Sequence, residues 1–154
     1  MDPEAIRQYI VDTFGGVDVV VASGDMFFFY DPSNGTPPDH RFPFATLVTG
    51  DRYDRASNLD RPDVFRLNVG VSPATFRSLF SASAAATGDA DEAAPGYDFT
   101  AVDRIMPHPV YGQMFWLCVL NPSEATFAAV RPLLGEAYDR AARRDTKTRR
   151  ADHG

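Results

Sequence analysis

Apolar residues recur at helical spacing near both ends of the chain, whereas the residues between them fall into short apolar runs. Near the N-terminus, two isoleucines and a phenylalanine spaced four apart follow an aspartate and a proline, a pair that typically begins a helix. This pattern predicts a helix over residues 3–14. At the other end, an apolar stripe predicts a long helix over residues 122–143, which Pro132 should kink or split.

Five short runs between these helices are rich in β-branched and aromatic residues, which is typical of strands. A tight turn signal separates the first two runs and predicts a hairpin. We expect a short helix over residues 72–80 and a helical turn over residues 98–105. The predicted strands are residues 17–23, 26–30, 42–49, 64–70 and 114–120.

This order of elements predicts an α+β fold. The hairpins favour a mainly antiparallel, five-stranded sheet, and the N- and C-terminal helices should pack on one face of it as a two-layer sandwich. We expect a single domain over residues 1–144. Within it, an Ala/Ser/Gly/Asp-rich stretch at 81–96 is predicted to be a mobile insertion, and residues 145–154 a disordered tail.

The composition bounds the function without assigning one. The formal net charge of −6 disfavours general nucleic-acid binding, which needs a positive field. The single cysteine, the absence of a signal-peptide pattern and the lack of a membrane-length apolar run predict a soluble, cytoplasmic protein. The sequence contains no Gly-rich phosphate loop or dinucleotide fingerprint, so we expect no cofactor.

The fourth predicted strand carries the most informative polar residues. Side chains alternate along a strand, so its apolar residues should face one way and Arg66 and Asn68 the other. An arginine and an asparagine side by side on an open sheet face can hold a carboxylate or a phosphate. The alternative is a solvated face on which Arg66 pairs with a nearby acid such as Asp60 or Asp63.

His108 lies between two prolines that restrict its backbone. Because histidine titrates near neutral pH, His108 is a candidate general acid or base, or a ligand contact. No nucleophile at a triad-like spacing accompanies it, and the alternative is a structural histidine that caps a backbone carbonyl. Three histidines and one cysteine without metal-ligand spacing predict no metal site.

Two aromatic residues near the fifth predicted strand have two interpretations. Trp116 lies on the strand and Tyr111 just before it. On an exposed face they would stack on a flat ligand, whereas on a buried face they would be core residues. Both faces of this strand are apolar, which favours a central position in the sheet.

Three long motifs resemble a known family. They are RFPFATLVT at 41–49, SNLDRPDVFRLNVGV at 57–71 and RIMPHPVYGQMFWLCVLNP at 104–122. Together with the last helix they resemble the bacterial family catalogued as domain of unknown function 6194, over nearly the whole chain except the insertion and the tail. This resemblance implies no activity. The element order also resembles the YjbR/MmcQ group of small α+β proteins, a likeness of fold that implies a link to DNA binding.

Three hypotheses for function follow. The first is a non-enzymatic binding module that holds a polar or anionic small molecule, or a partner protein, as a monomer or a homodimer. The second is a small enzyme that uses His108 as general acid or base. The third is nucleic-acid binding by fold analogy, which requires a local arginine-rich face. The ligand-binding residues of the first hypothesis are Arg41, Arg61, Arg66, Asn68, His108, Tyr111 and Trp116.

Overall fold

The computed structural model describes residues 1–32, 42–87 and 97–153, with the backbone alone for 81–87 and 145–153. A short 3-10 helix, Gly112–Met114, precedes the last strand. The helices and strands are α1 (Pro3–Thr13), β1 (Val17–Ala22), β2 (Asp25–Tyr30), β3 (Ala45–Val48), β4 (Arg66–Gly70), α2 (Pro73–Thr87), β5 (Met106–Pro107), β6 (Trp116–Leu120) and α3 (Glu124–His153).

The strands form one antiparallel sheet in the order β1-β2-β3-β4-β6-β5. This confirms the predicted α+β class, but the prediction of five strands was wrong by one. The additional strand, β5, has two residues and pairs with β6 at the edge of the sheet. A strand this short has no periodicity to detect, and Pro107 is tolerated there because an edge strand leaves one side unpaired.

Local signals explain the first half of the chain. The side chain of Asp2 accepts a hydrogen bond from the amide of Ala5 at 2.8 Å and caps α1. The turn between β1 and β2 places Ser23 and Gly24 at φ of 55° and 88°. Positive φ at both central residues is the geometry that closes a two-residue hairpin, so the predicted hairpin is confirmed.

One face of the sheet is covered by helices. Buried residues of α1, α2 and α3 pack against alternate residues of β4 and β6 in a single apolar cluster. Both terminal helices therefore lie on the same side of the sheet, as predicted. The cluster includes Ile6, Ile10, Leu67, Val69, Phe76, Phe80, Leu117, Val119, Phe127, Val130 and Leu134.

The opposite face is covered by loops. A smaller apolar cluster there contains Leu59 from the loop of residues 51–63 (loop 51–63), and Tyr97 and Phe99 pack at its margin. These side chains cover Cys118 and Leu120 of β6. Both faces of the central strands are therefore buried, and polar residues on the loop-covered face are enclosed.

Two helices run further than the sequence pattern indicated. Helix α2 continues from Pro73 to Thr87 across non-helical torsion angles at Phe80, so residues 81–87 of the predicted insertion are helical, while the mobility of the insertion stays a prediction. The remainder of the predicted insertion, 88–96, lies outside the described residues. The alanines of this segment have the highest intrinsic helix propensity, which explains the extension.

Helix α3 begins at Glu124 and continues to His153 with Pro132 inside it. Pro132 therefore does not split the helix, and residues 145–153 of the predicted disordered tail are helical, while their disorder stays a prediction. Ala, Arg and Lys of the tail favour helix, and one proline removes only one backbone hydrogen bond. None of the described helices has the length and apolar character needed to cross a membrane.

Candidate functional site

Arg66 and Asn68 project together from β4 toward the loop-covered face of the sheet. Asn68 lies opposite Thr46 of β3 on one side and Cys118 of β6 on the other. The exposed fraction is 1% for Arg66 and 2% for Asn68. The alternation along β4 therefore predicted correctly that Arg66 and Asn68 point to the same face of the sheet. The expectation that this face is open or solvated was wrong.

Four of the five N–H donors of Arg66 are bound by neighbouring side chains. Nε donates to Oδ1 of Asn68 at 2.9 Å, and Nη1 donates to Oδ1 of Asp54 and Oγ of Ser57, both at 3.0 Å. Nη2 donates to Oδ2 of Asp54 at 2.6 Å. The guanidinium and the Asp54 carboxylate thus form a bidentate pair, the strongest geometry available to these two groups.

Asp54 is the carboxylate that pairs with Arg66, where the sequence suggested Asp60 or Asp63. Asp60 instead accepts the amide of Asp51 at 3.1 Å. Burial acts to raise the pKa of Asp54, but the hydrogen bonds and positive charge of Arg66 outweigh it, so this pKa lies below its ordinary value. One feature of the sequence indicates that this loop packs on the sheet. Leu59 is an apolar residue within a charged loop, and it anchors loop 51–63 to the sheet.

His108 completes this group of buried polar residues, with an exposed fraction of 3%. Its Nδ1 accepts hydrogen bonds from the backbone amides of Val110 at 3.0 Å and Tyr111 at 2.9 Å. His108 therefore accepts hydrogen bonds from two amides. The structural role considered from the sequence was different, a hydrogen bond to a backbone carbonyl. Burial, reinforced by the charge of Arg66 and opposed by Asp54, lowers the pKa of His108 to about 3, so the ring is neutral at physiological pH.

The two amides fix the position of the single ring proton. A nitrogen that accepts N–H donors carries no hydrogen, so the proton of neutral His108 lies on Nε2. Turning the ring over would place a carbon atom in front of both amides, which excludes that arrangement. The Nε2–H of His108 then faces Nη2 of Arg66 at 3.4 Å.

The fifth donor of Arg66 and the Nε2–H of His108 therefore point toward each other. Among the described residues neither of these hydrogens has another acceptor. Buried donors almost always have a partner, and one oxygen atom can accept from two donors at once. We refer to Asp54, Ser57, Arg66, Asn68 and His108 as the buried polar cluster.

The two predicted aromatic residues, Tyr111 and Trp116, lie in different surroundings. The centroid of the Tyr111 ring is 5.0 Å from that of the His108 imidazole, and Tyr111 is 49% exposed, so it contacts both His108 and solvent. Trp116 is half-buried and its indole lies across Gly70, where an added Cβ atom would be 2.8 Å from Cε2. Tyr111 is thus the predicted aromatic residue that touches the cluster.

The remaining predicted site residues are Arg61 and Arg41, and the guanidinium of Arg61 binds backbone carbonyls, not the side chains of the cluster. Arg61 donates to the carbonyls of Asn58, Ser57 and Thr100 at 2.8, 3.1 and 3.0 Å. It therefore ties loop 51–63 to the segment that follows residue 96. Arg41 lies outside the described residues.

Among the described residues, no group of three or more His, Cys, Asp or Glu side chains is placed to hold a metal ion. Cys118 is buried, and burial raises the pKa of its thiol to about 12, so it carries no thiolate at neutral pH.

Comparison with known proteins gives one match. A family model described as Family of unknown function (DUF6194) matches residues 1–151. Searches of curated proteins and of solved structures gave no match.

Proposed function

We propose that this chain, which belongs to the family of unknown function DUF6194, is a non-enzymatic binding module for a small polar molecule. An oxygen atom of the ligand would lie to one side of the line that joins Nη2 of Arg66 and Nε2 of His108, within hydrogen-bond distance of both nitrogens, and accept a hydrogen bond from each. The observation that carries the proposal is that these two buried donors face each other at 3.4 Å without an acceptor among the described residues.

The charges of the cluster favour a neutral ligand. The positive charge of Arg66 is balanced by Asp54, and His108 is neutral. An anion bound here would place an unbalanced negative charge beside the Asp54 carboxylate in a buried site, which is costly. An amide or ketone carbonyl supplies the oxygen without that charge. The anionic ligand expected from the sequence is therefore the less favourable class.

Tyr111 is the side chain through which a ligand would reach the cluster. It packs on the imidazole, is half exposed, and is joined to His108 by its own backbone amide. A rotation of its ring about the side-chain torsions would uncover the imidazole edge and leave the loop in place. A ligand with a short apolar group beside its carbonyl would then pack against the tyrosine ring.

The geometry argues against His108 as a general base. The lone pair of Nδ1 is held by two amides and Nε2 already carries a proton, so His108 has no free lone pair with which to accept one. Many of the described arginines are also engaged within the chain, so a nucleic-acid face gains no support: Arg7 pairs with Glu4, Arg52 with Asp25, and Arg77, Arg104 and Arg131 lie over aromatic rings.

The test is a titration with small probes followed by backbone amide NMR. Acetamide, a neutral carbonyl, is expected to shift the amides of Val110 and Tyr111 saturably at roughly millimolar concentration, because a ligand of so few atoms gains little free energy. Acetate should shift them more weakly. If acetamide leaves both amides unchanged, or acetate binds more tightly, the proposal fails.

His108→Asn is the matched variant. The side-chain oxygen of asparagine stands where Nδ1 stood and accepts the amides two and three residues on, as it does in many turns. The variant removes the Nε2–H donor and keeps the loop. We expect a folded protein, judged from its amide spectrum, that no longer responds to acetamide. An unchanged response would show that the probe binds elsewhere.

A further inference from the structure

A second candidate site lies on the helix-covered face, on the other side of the sheet from the buried polar cluster. A cleft of about 470 Å³ opens between α3 and the residue that precedes α2, lined by Ser72, Glu136, Asp139, Arg140 and Arg143 among others. This volume falls within the range of small-molecule sites. The cleft is lined by two carboxylates and two guanidinium groups, and the case for a ligand comes from their hydrogen bonds.

Glu136 has one carboxylate oxygen that is bound and one that is not. Oε1 accepts a hydrogen bond from Oγ1 of Thr75 at 2.7 Å, and Thr75 in turn accepts one from Oγ of Ser72 at 3.1 Å. Oε2 is buried and has no hydrogen-bond partner among the described residues. A buried carboxylate oxygen without a donor is unfavourable, so a donor that binds Oε2 would stabilise this site.

The nearest arginine along the helix does not supply that donor. Arg140 is one turn from Glu136 on the same face, but its guanidinium donates to the carbonyl of Val71. No ion pair joins Glu136 to a described arginine. The chain thus leaves room for a cationic donor from outside. A donor in the cleft reaches Oε2 when the carboxyl group turns about its terminal torsion, which is broad for glutamate, and this turn releases Oε1 from Thr75.

A second charged group marks the other end of the cleft. Arg143 follows Glu136 by seven residues, so it lies on the same helix face roughly 10 Å along the axis. Helical side chains lean toward the N-terminus, which brings its guanidinium back toward Glu136. Arg143 is exposed, and a guanidinium binds carboxylates through two parallel N–H donors.

We infer that this cleft binds a small zwitterion of the amino-acid class. The protonated amine donates to Glu136, and the anionic group accepts from Arg143. A simple carboxylate would leave Oε2 of Glu136 without a donor, and a simple amine would leave Arg143 unused, so both groups are needed. This inference is independent of the proposed role of Arg66 and His108.

The experiment compares 4-aminobutanoate with butylamine and butanoate, which carry one of its two charged groups each. Binding is followed through the backbone amides of Gly135 and Glu136. The zwitterion is expected to bind at least about tenfold more tightly than either single-charge probe. Equal binding of butanoate and 4-aminobutanoate would overturn the inference, as would the absence of any shift at these amides.

Variants locate the two contacts. Glu136→Gln and Arg143→Gln should each weaken 4-aminobutanoate binding about tenfold. Glu124→Gln and Arg131→Gln make the same charge changes on α3 outside the cleft and should leave it unchanged. If the control variants weaken binding as much as the cleft variants, the effect is one of net charge and the assigned contacts are wrong.

Discussion

Arg66 is the largest side chain that the described part of the fold buries completely. Removing a guanidinium from water is costly unless it is paired and hydrogen-bonded. Asp54 supplies the charge, and Ser57 and Asn68 accept further hydrogen bonds. Because Asp54 and Ser57 belong to loop 51–63, the same contacts that satisfy Arg66 hold this loop against the sheet.

The first prediction concerns the carboxylate of this pair. Asp54→Asn should lower the free energy of unfolding by roughly 3 kcal/mol, since it leaves the buried Arg66 without a counter-charge. Asp63→Asn, an exposed position in the same loop where asparagine tolerates the positive φ of 60°, should change it by less than about 0.5 kcal/mol. Urea unfolding of the two variants measures both values. Equal effects would mean that the Asp54–Arg66 pair does not anchor the loop.

The second prediction concerns pH. Burial and the charge of Arg66 lower the pKa of His108 to about 3, whereas in the unfolded chain it is about 6.5. Between these values the unfolded chain binds a proton that the folded chain does not, so stability falls as the pH drops. From about pH 7 to about pH 5 the wild type should lose roughly 2 kcal/mol more than His108→Asn. Parallel stability curves for the two proteins, measured by urea unfolding, would contradict the lowered pKa.

At the scale of elements, the pairing of β4 with β6 places a small residue opposite a large one. Gly70 pairs with Trp116, and the indole occupies the space that a Cβ atom of residue 70 would need. Since neither strand can shift without disturbing the sheet on both sides, the indole itself must move to accommodate a larger residue. Trp116 is the only tryptophan, so its fluorescence reports on this contact directly.

The third prediction uses this contact. Gly70→Ala should displace the indole, shift the tryptophan emission maximum and lower stability by about 1–3 kcal/mol through overpacking. Gly135→Ala is the control, because nothing lies within 4 Å of the place that an added Cβ atom would take and α3 is a helix there. That substitution should raise stability by about 0.5–1 kcal/mol and leave the emission unchanged. An unaltered emission spectrum in Gly70→Ala would show that Trp116 does not pack on Gly70.

At the scale of the whole molecule, features with a local repeat were predictable and features made by distant residues were not. The alternation along β4 placed Arg66 and Asn68 on one face correctly, because the period of a strand is a property of neighbouring residues. Asp54 lies 12 residues before Arg66 and His108 lies 42 after it. Their convergence depends on how loop 51–63 covers the sheet and how β5 pairs at its edge, which no local pattern encodes.

The same distinction explains which contacts of the site the sequence did not predict. Arg61 was grouped with Arg66 because both lie in the motif at 57–71, but its guanidinium binds three backbone carbonyls and joins loop 51–63 to the segment that follows residue 96. The cleft beside α3 was missed because the apolar stripe of this helix predicts only the face that packs on the sheet. Glu136, Arg140 and Arg143 recur at four- and three-residue spacing on one face, and that pattern is visible in the sequence.

The central claim is that the buried polar cluster presents two donors to an acceptor from outside the chain. It depends on which ring nitrogen of His108 carries the proton, and a long-range proton–nitrogen correlation spectrum of the histidine rings near pH 7 reports this directly. We predict that Nε2 is protonated and Nδ1 is not. A proton on Nδ1 would contradict the account, because Nε2 would then accept from Arg66 and leave no donor for a ligand.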